Sequence, residues 1–343
     1  MKLKQGINIG GYLSQCEESA EHFKNFLTEQ DIARIAGWGF DHVRLPVDAD
    51  IIMSRSGIMR PETIACIDRV GEWCREYGLD MILDLHKAYG YDFTRAGSKE
   101  NVLFSDPDAR HLYLTLWEYL ASRYQEQHHM AFELLNEIVE IEYADAWNEL
   151  AAEAIRCIRS VGANNLIIYG GVCWNSADTL RLLERPNDTN CMFTFHFYEP
   201  LLFTHQKAYW VVGMNPDEEI PYPADMDYYR SQSSALGLQG QPCIQSKAKI
   251  MGPEFMEELI LSAVTSAKEQ TVPLYCGELG VIDRAPAEDT IRWFSDMNVL
   301  FQKYDIGYSI WNYKGKDFGL SDSHYSSFRD RLFAAIGMKQ SAE

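Results

Sequence analysis

Eight residues with side chains suited to making and breaking bonds stand at or near the ends of short apolar runs: Arg44, His86, Asn136, Glu137, His196, Tyr198, Glu278 and Trp311. Glu137 closes the run Phe132-Glu133-Leu134-Leu135-Asn136-Glu137, and Glu278 lies within Leu274-Tyr275-Cys276-Gly277-Glu278-Leu279-Gly280. A carboxylate in apolar surroundings is costly and needs a compensating reason. A purely structural role, with Arg44 and backbone donors satisfying the charge, accounts for one such glutamate as well as chemistry does. It accounts poorly for two, accompanied at other run ends by Arg, two His, Asn, Tyr and Trp. Two facing carboxylates with separated pKa values can do what cleavage of a glycosidic bond requires. One stays protonated to donate to the leaving oxygen; the other stays ionised to attack the anomeric carbon or activate water.

These residues converge only if the runs are strands of one sheet. The runs are Gly6–Ile9, His42–Leu45, Met81–His86, Ala131–Asn136, Leu166–Tyr169, Met192–Tyr198, Leu274–Gly277 and Tyr308–Trp311. Their near-continuous apolar character suits strands covered on both faces, as in a parallel sheet. Amphipathic stretches lie between them. Thr28–Ala36 sets Ile32, Ile35 and Ala36 on one side, and Ala144–Arg159 does the same with Trp147, Leu150, Ala151, Ala154, Ile155 and Ile158. Strand and helix in eightfold alternation predict an α/β fold, a (β/α)8 TIM barrel, with functional residues gathered at the C-terminal ends of the strands. A doubly wound open sheet would want a glycine-rich phosphate loop after its first strand, which this chain lacks. Residues 1–343 read as a single catalytic domain of this kind. Within it, 199–252 is too long for a plain loop and reads as a small insertion subdomain after the sixth strand. Pro253 then opens a helix carrying Phe255, Met256, Leu259, Ile260, Ala263 and Val264.

The blocks Gly6-Ile7-Asn8-Ile9-Gly10-Gly11, His42-Val43-Arg44-Leu45-Pro46, Leu83-Asp84-Leu85-His86, Phe132 to Glu137, Phe195-His196-Phe197-Tyr198, Gly277-Glu278-Leu279-Gly280 and Ile310-Trp311-Asn312-Tyr313 follow one another along nearly the whole chain. In this order and spacing the chain resembles glycoside hydrolase family 5, and in particular its bacterial non-cellulosomal endo-β-1,4-glucanases. Phe203-Thr204-His205-Gln206-Lys207-Ala208 is similar to the start of the extra subdomain of those relatives. The resemblance implies a retaining double displacement with Glu137 as acid/base and Glu278 as nucleophile. Arg44 and a hydrogen bond from Tyr198 are expected to stabilise the Glu278 anion, making it the lower-pKa group. The charge of Glu278 is expected to help keep Glu137 protonated. Asn136 is implied to bond a sugar 2-hydroxyl, and His86 and His196 to bond sugar hydroxyls or the carboxylates. Trp311 offers a flat face for a sugar ring.

The remaining aromatic and charged residues divide by position. Trp38, Trp73, Trp117, Trp147 and Trp293 fall in helical stretches and read as packing residues. Trp174, after the fifth strand, and Trp210 and Tyr222, in the insertion, read as wall residues of outer sugar subsites as readily as packing. Glu140 and Glu142 read as members of a solvated loop, and His128-His129 as lying at the opposite end of the barrel. With 31 basic against 50 acidic residues the net charge is −19, which argues against nucleic acid or an anionic membrane and leaves a neutral β-linked oligo- or polysaccharide as the partner. No metal and no cofactor is expected, since metal-dependent amidohydrolase barrels need His-x-His on a first strand that here reads Gly-Ile-Asn-Ile. The eight cysteines are scattered without a Cys-x-x-Cys pair, as suits free thiols in a reducing compartment. Met1 to Gln5 lead directly into the first strand without an apolar leader segment. The expected location is therefore the cytoplasm, or outside the cell were a leader removed. The substrate expected is a soluble β-1,4-containing glucan, such as mixed-linkage glucan or cellooligosaccharides, cut internally. The same chemistry on β-mannan, β-1,3-glucan or xyloglucan, exo-acting β-glucosidase action, and a non-catalytic glycan-binding barrel are the alternatives.

Overall fold

The computed structural model describes residues 1–338, so the last five positions of the expected 1–343 domain lie outside the described residues. Eight parallel strands close into a barrel: β1 (Gln5–Asn8), β2 (His42–Asp48), β3 (Asp80–Lys87), β4 (Met130–Glu133), β5 (Ile167–Gly170), β6 (Cys191–Phe197), β9 (Leu274–Leu279) and β10 (Gly307–Ile310). The two intervening strands, β7 (Ala224–Asp225) and β8 (Ile250–Met251), pair antiparallel with each other in the insertion. All eight apolar runs of the sequence are barrel strands, shifted by up to three residues at their ends. The shift has a consequence for β4, β6 and β10. Tyr198 and Trp311 are not strand residues but the first loop residues beyond β6 and β10, and Asn136 and Glu137 lie three and four residues past the end of β4.

The helices pack around the sheet as their periodicity dictates. Thr28 opens Glu29–Gly37 with a capping box in which Asp31 reciprocates, and Ile32 and Ile35 face inward. Pro61, Pro107 and Pro253 each occupy the first turn of a helix, where a missing N–H costs nothing. Trp117, Trp147 and Trp293 are fully buried, while Trp38 and Trp73 are half-buried at the rim of the same core. The three buried indoles share a second job. Their Nε1–H groups donate to Leu134 O (3.1 Å), Gly170 O (2.8 Å) and Glu199 O (3.0 Å), backbone carbonyls at or just past the C-terminal ends of β4, β5 and β6. The helices therefore both cover the strands and anchor the loops that carry site residues. Truncating any of these tryptophans to alanine should cost about 3–5 kcal/mol.

Two local devices position the site. On β9 the register against β6 slips between Cys276 and Glu278, so that His196 sits opposite Glu278. Such a bulge re-aims a side chain, and it occurs at Gly277, where a Cβ would press on Thr194 Oγ1 at 2.9 Å. At Gly10 an added Cβ would lie 2.5 Å from the Trp311 indole, so only glycine leaves room for that ring. Asn312 fixes the approach: its Oδ1 accepts from Gly10 N (2.9 Å) and its Nδ2 donates to Gly10 O (3.2 Å). The Trp311–Asn312 peptide is cis.

The insertion between β6 and the helix Pro253–Gln270 is made of short elements: Leu201–Thr204, the β7/β8 pair, Met226–Ser233, a 3-10 segment and Gln241–Gln245. It leaves the barrel at the same strand-end face as the site residues. Ile282 N, just past β9, donates to Thr204 O (2.9 Å) and ties the insertion to the barrel mouth.

Candidate active site

Arg44, on β2 and fully buried, is the hub of the strand-end residues. Its guanidinium fork reaches Glu133 through Nε (2.7 Å) and Nη2 (2.9 Å), Asp84 through Nη2 (3.0 Å), Glu278 through Nη1 (2.7 Å), Asn136 Oδ1 (2.9 Å) and Asn8 Oδ1 (3.0 Å). The register places Asp84 beside Glu133, so one cation faces three carboxylates. Burial pushes Asp84 up to about 7 against the pull of Arg44, and it raises Glu133 as well. Asp84 in turn holds His86 Nδ1 at 2.7 Å. Burial lowers His86 to about 4, so the ring is neutral near pH 7, and it stacks on Trp311 with centroids 5.8 Å apart and planes 6° from parallel.

The two glutamates sit in different settings. Glu278 accepts from Arg44 on one oxygen and from the Tyr198 hydroxyl (3.0 Å) on the other. Burial and the charge of Glu278 hold the Tyr198 phenol well above its ordinary value, so it remains a donor. Glu137 shares a hydrogen bond with His196 Nδ1 (2.8 Å), a ring that burial pushes down to about 4. Burial raises the Glu137 carboxyl to about 7, with Arg44 opposing. The charge of Glu278, expected from the sequence to contribute, is not among the causes of this elevation; exclusion of water alone raises the carboxyl. Glu137, His196 and Glu278 bring one donor atom each within 4.8 Å of one another. A metal ion needs such a trio too, but here His196 Nδ1 is already engaged with Glu137.

The eight strand-end residues thus join one contact network. The buried Asn136 Nδ2 has no hydrogen-bond partner among the described residues, leaving an amide N–H free for a ligand. Trp174 and Trp210 lie at its edge. Trp174 follows β5 in a left-handed stretch, Cys173, Trp174 and Asn175 having φ of 52°, 57° and 54°. Three consecutive non-glycine residues in that region store strain of roughly 1–2 kcal/mol each. The turn brings Asn175 Nδ2 to 3.5 Å from His196 Nε2. Trp210 packs edge-on against His205 (6.3 Å), which packs against Tyr198 (4.9 Å). Tyr222 is different: it is buried, with its hydroxyl on Asp296 (2.9 Å), and packs the insertion rather than lining a cleft. Glu140 is half-buried and hydrogen-bonded rather than solvated. His129 bonds Gly71 O (2.9 Å), away from the site.

Sequence reasoning missed Asp84, Glu133, Asn8 and Asn175 as site residues. Asp84 and Glu133 carried the same signal as the two glutamates, a carboxylate inside an apolar run. A groove of about 680 Å³ lined by residues including Phe23, Leu27, Arg60, Arg69 and Trp73 contains none of the site residues. The convergence of polar groups, not volume, locates this site.

Comparison with known proteins adds to the geometry. The model of the cellulase family, glycosyl hydrolase family 5, matches residues 5–317. Endoglucanase C of Acetivibrio thermocellus is 38% identical over 327 residues, 93% of either chain. Cellodextrinase A of Ruminococcus flavefaciens is 38% identical over 303 residues, 88% of this chain and 83% of its own. Among solved structures, Cel5A of Thermotoga maritima in complex with cellobiose aligns with a TM-score of 0.73 at 25% identity, covering 97% of each chain. The barrel, its strand-end residues and these relatives place the chain in glycosyl hydrolase family 5, as a glycoside hydrolase of the endoglucanase type.

Proposed function

We propose that the chain is a retaining β-glucanase that cleaves internal β-1,4 bonds of soluble glucans, with Glu278 as nucleophile and Glu137 as acid/base. The observation that carries this reading is the distance between the carboxylates, whose nearest oxygens lie within 4.8 Å of each other. Retaining enzymes keep the pair about 5–5.5 Å apart, whereas inverting enzymes need roughly 6.5–9.5 Å to seat a water between them.

In the first step a Glu278 oxygen attacks the anomeric carbon. The bond from that carbon to the glycosidic oxygen breaks, and Glu137 gives its proton to the departing oxygen. Glu278 is then a neutral ester, and Glu137 is an anion able to take a proton from water. That water's oxygen bonds the anomeric carbon and Glu278 leaves as carboxylate, so the configuration is retained. Arg44 and Tyr198 aim and compensate the Glu278 carboxylate before attack and receive it again afterwards. The free Asn136 Nδ2 donates to the sugar 2-hydroxyl, a bond that strengthens as positive charge grows on the ring. Trp311 supplies the apolar face at the cleavage site; Trp174 and Trp210 serve outer subsites. The net charge of −19 favours a neutral glycan over an acidic one.

Digestion of mixed-linkage β-1,3-1,4-glucan with products sized over time tests the substrate. An early spread of oligosaccharides is expected; no product would move the substrate to another β-glycan. A Glu278→Ala variant should lose roughly 10⁴-fold or more in turnover and recover with azide as the α-glycosyl azide, whereas Glu137→Ala should give the β-azide. Exchanged anomers would reverse the two roles. A second reading, preference for short cellooligosaccharides, is favoured by the similarity to a cellodextrinase, and accumulation of one short sugar from the start of digestion would support it.

A further inference from the structure

The loop that carries Glu137 is tied to its neighbours on both sides of that residue. Before Glu137, Asn136 N donates to Leu85 O (2.9 Å). After it, Ile138 O accepts from Trp174 N (3.0 Å), the residue held in the strained turn beyond β5. Val139 N donates to the Tyr91 hydroxyl (2.8 Å), and that hydroxyl donates onward to Glu140 Oε2 (2.8 Å). The other Glu140 oxygen accepts from Gly97 N (2.7 Å). Tyr91 and Gly97 belong to the long loop between β3 and the helix Pro107–Tyr124. Tyr91 is buried and packs edge-on against Phe104 (5.5 Å) and Tyr143 (6.4 Å). The same loop places Phe93 edge-on to His86 (5.1 Å).

A single tyrosine hydroxyl thus accepts from one loop's backbone and donates to that loop's carboxylate, while the carboxylate reaches back to the other loop. Burial raises the Tyr91 phenol far above its ordinary value, so the donor is kept at every pH the enzyme would meet. Nothing in the reaction steps above uses either side chain. Both lie within four residues of Glu137 or bond a residue that does, and a proton donor misplaced by about 1 Å can lose about a hundredfold in rate.

Resting on the assignment of Glu137 as acid/base, we propose that Tyr91 and Glu140 are positioning residues that lock the two loops together and fix the Glu137 carboxyl against the leaving oxygen.

The test is the dependence of kcat/KM on the leaving group, since a good leaving group needs no proton. Tyr91→Phe, Glu140→Gln and Glu137→Ala are each assayed on cellotetraose and on 2,4-dinitrophenyl β-cellobioside. Tyr91→Phe and Glu140→Gln should each lose about tenfold or more on cellotetraose yet stay within about twofold on the dinitrophenyl substrate. Glu137→Ala should show the same asymmetry more strongly. The double variant should lose little more than the worse single one, because both break one linkage. Equal losses on both substrates by the two strap variants would reduce the pair to a structural role and overturn the proposal, as would no loss on either. Should Tyr91→Phe not fold, Glu140→Gln, a half-buried change at the loop, decides alone. Symmetric losses in Glu137→Ala would instead overturn the acid/base assignment itself.

Discussion

At the barrel mouth Arg44 is wholly buried among Asp84, Glu133 and Glu278, with every nitrogen of its guanidinium committed. In the insertion, Tyr209, Trp210 and Val212 stand 85%, 43% and 86% exposed. The first region is over-determined: each carboxylate is held by at least one partner that is itself held. The second is anchored at its base and open at its tip. Chemistry that must place a carboxylate within a fraction of an ångström of a carbon needs the first kind of construction. Contact with successive sugars of a varied chain tolerates the second. Substitutions at the mouth should therefore move rate and stability together, and substitutions at the tip should move affinity alone.

The strongest challenge to that division is Arg44→Met. Three carboxylates would lose their shared cation while remaining buried, and breaking a buried pair in this one-sided way costs about 3–5 kcal/mol. Denaturant unfolding should show that loss, and hydrolysis should be undetectable. Arg44→Lys should rescue little of either, since a point charge cannot replace the fork that meets Glu133 with two nitrogens. A folded, active Arg44→Met enzyme would show that the mouth is not over-determined.

Glu137 gives the next largest effect. Its carboxyl is raised by burial to about 7, so the protonated form, which the proposed acid/base role requires, predominates below that pH and is lost as pH rises through it. Hydrolysis of glucan should fall along an alkaline limb near 7. Glu137→Gln should lower kcat/KM on glucan by about 10²–10⁴-fold and leave no such limb. Survival of the limb in the variant would assign it to another group, and Asp84, also raised to about 7, would be first to examine.

How much of this was legible before the structure follows the same division. Strands covered on both faces write themselves as continuous apolar runs, which is why all eight were found. The two glutamates stood out as charges inside such runs. Asp84 and Glu133 stood in identical runs, yet their use depends on register: only the pairing of Asp84 with Glu133 across β3 and β4 brings both to one guanidinium. Burial as the main cause of the Glu137 elevation was likewise hidden, because sequence shows which charges are near but not how much water is excluded. In the insertion, strands of two residues and a 3-10 segment carry no periodicity to read. Its extent was visible only as an interval too long to be a loop.

A smaller effect, confined to the tip, sharpens the comparison. Trp210→Ala removes an aromatic face that extends the line from Tyr198 through His205. Stacking of this kind is worth about 0.5–1.5 kcal/mol, so KM for longer oligosaccharides should rise by roughly two- to tenfold. With kcat unchanged, Trp210 belongs to an outer subsite; a fall in kcat would place it within reach of the reacting ring.

The smallest effect separates the base of the insertion from its tip. Tyr222 could have been a sugar-facing residue by sequence, but its ring packs on Phe203 (5.3 Å) and its hydroxyl donates to Asp296 on the helix Ala287–Tyr304. Its backbone N–H donates to Asp289 on the same helix (3.0 Å), so the insertion is fastened there by both main chain and side chain. Tyr222→Phe keeps the ring and the main-chain bond, and removes only the hydroxyl. The loss should be about 1 kcal/mol of stability, the usual net worth of one hydrogen bond, raised somewhat by leaving the partly buried Asp296 carboxylate short of a donor. Unfolding should report that loss while KM and kcat stay as in the parent. A rise in KM without loss of stability would mean that Tyr222 meets substrate after all, and the anchored base would have to be counted with the open tip.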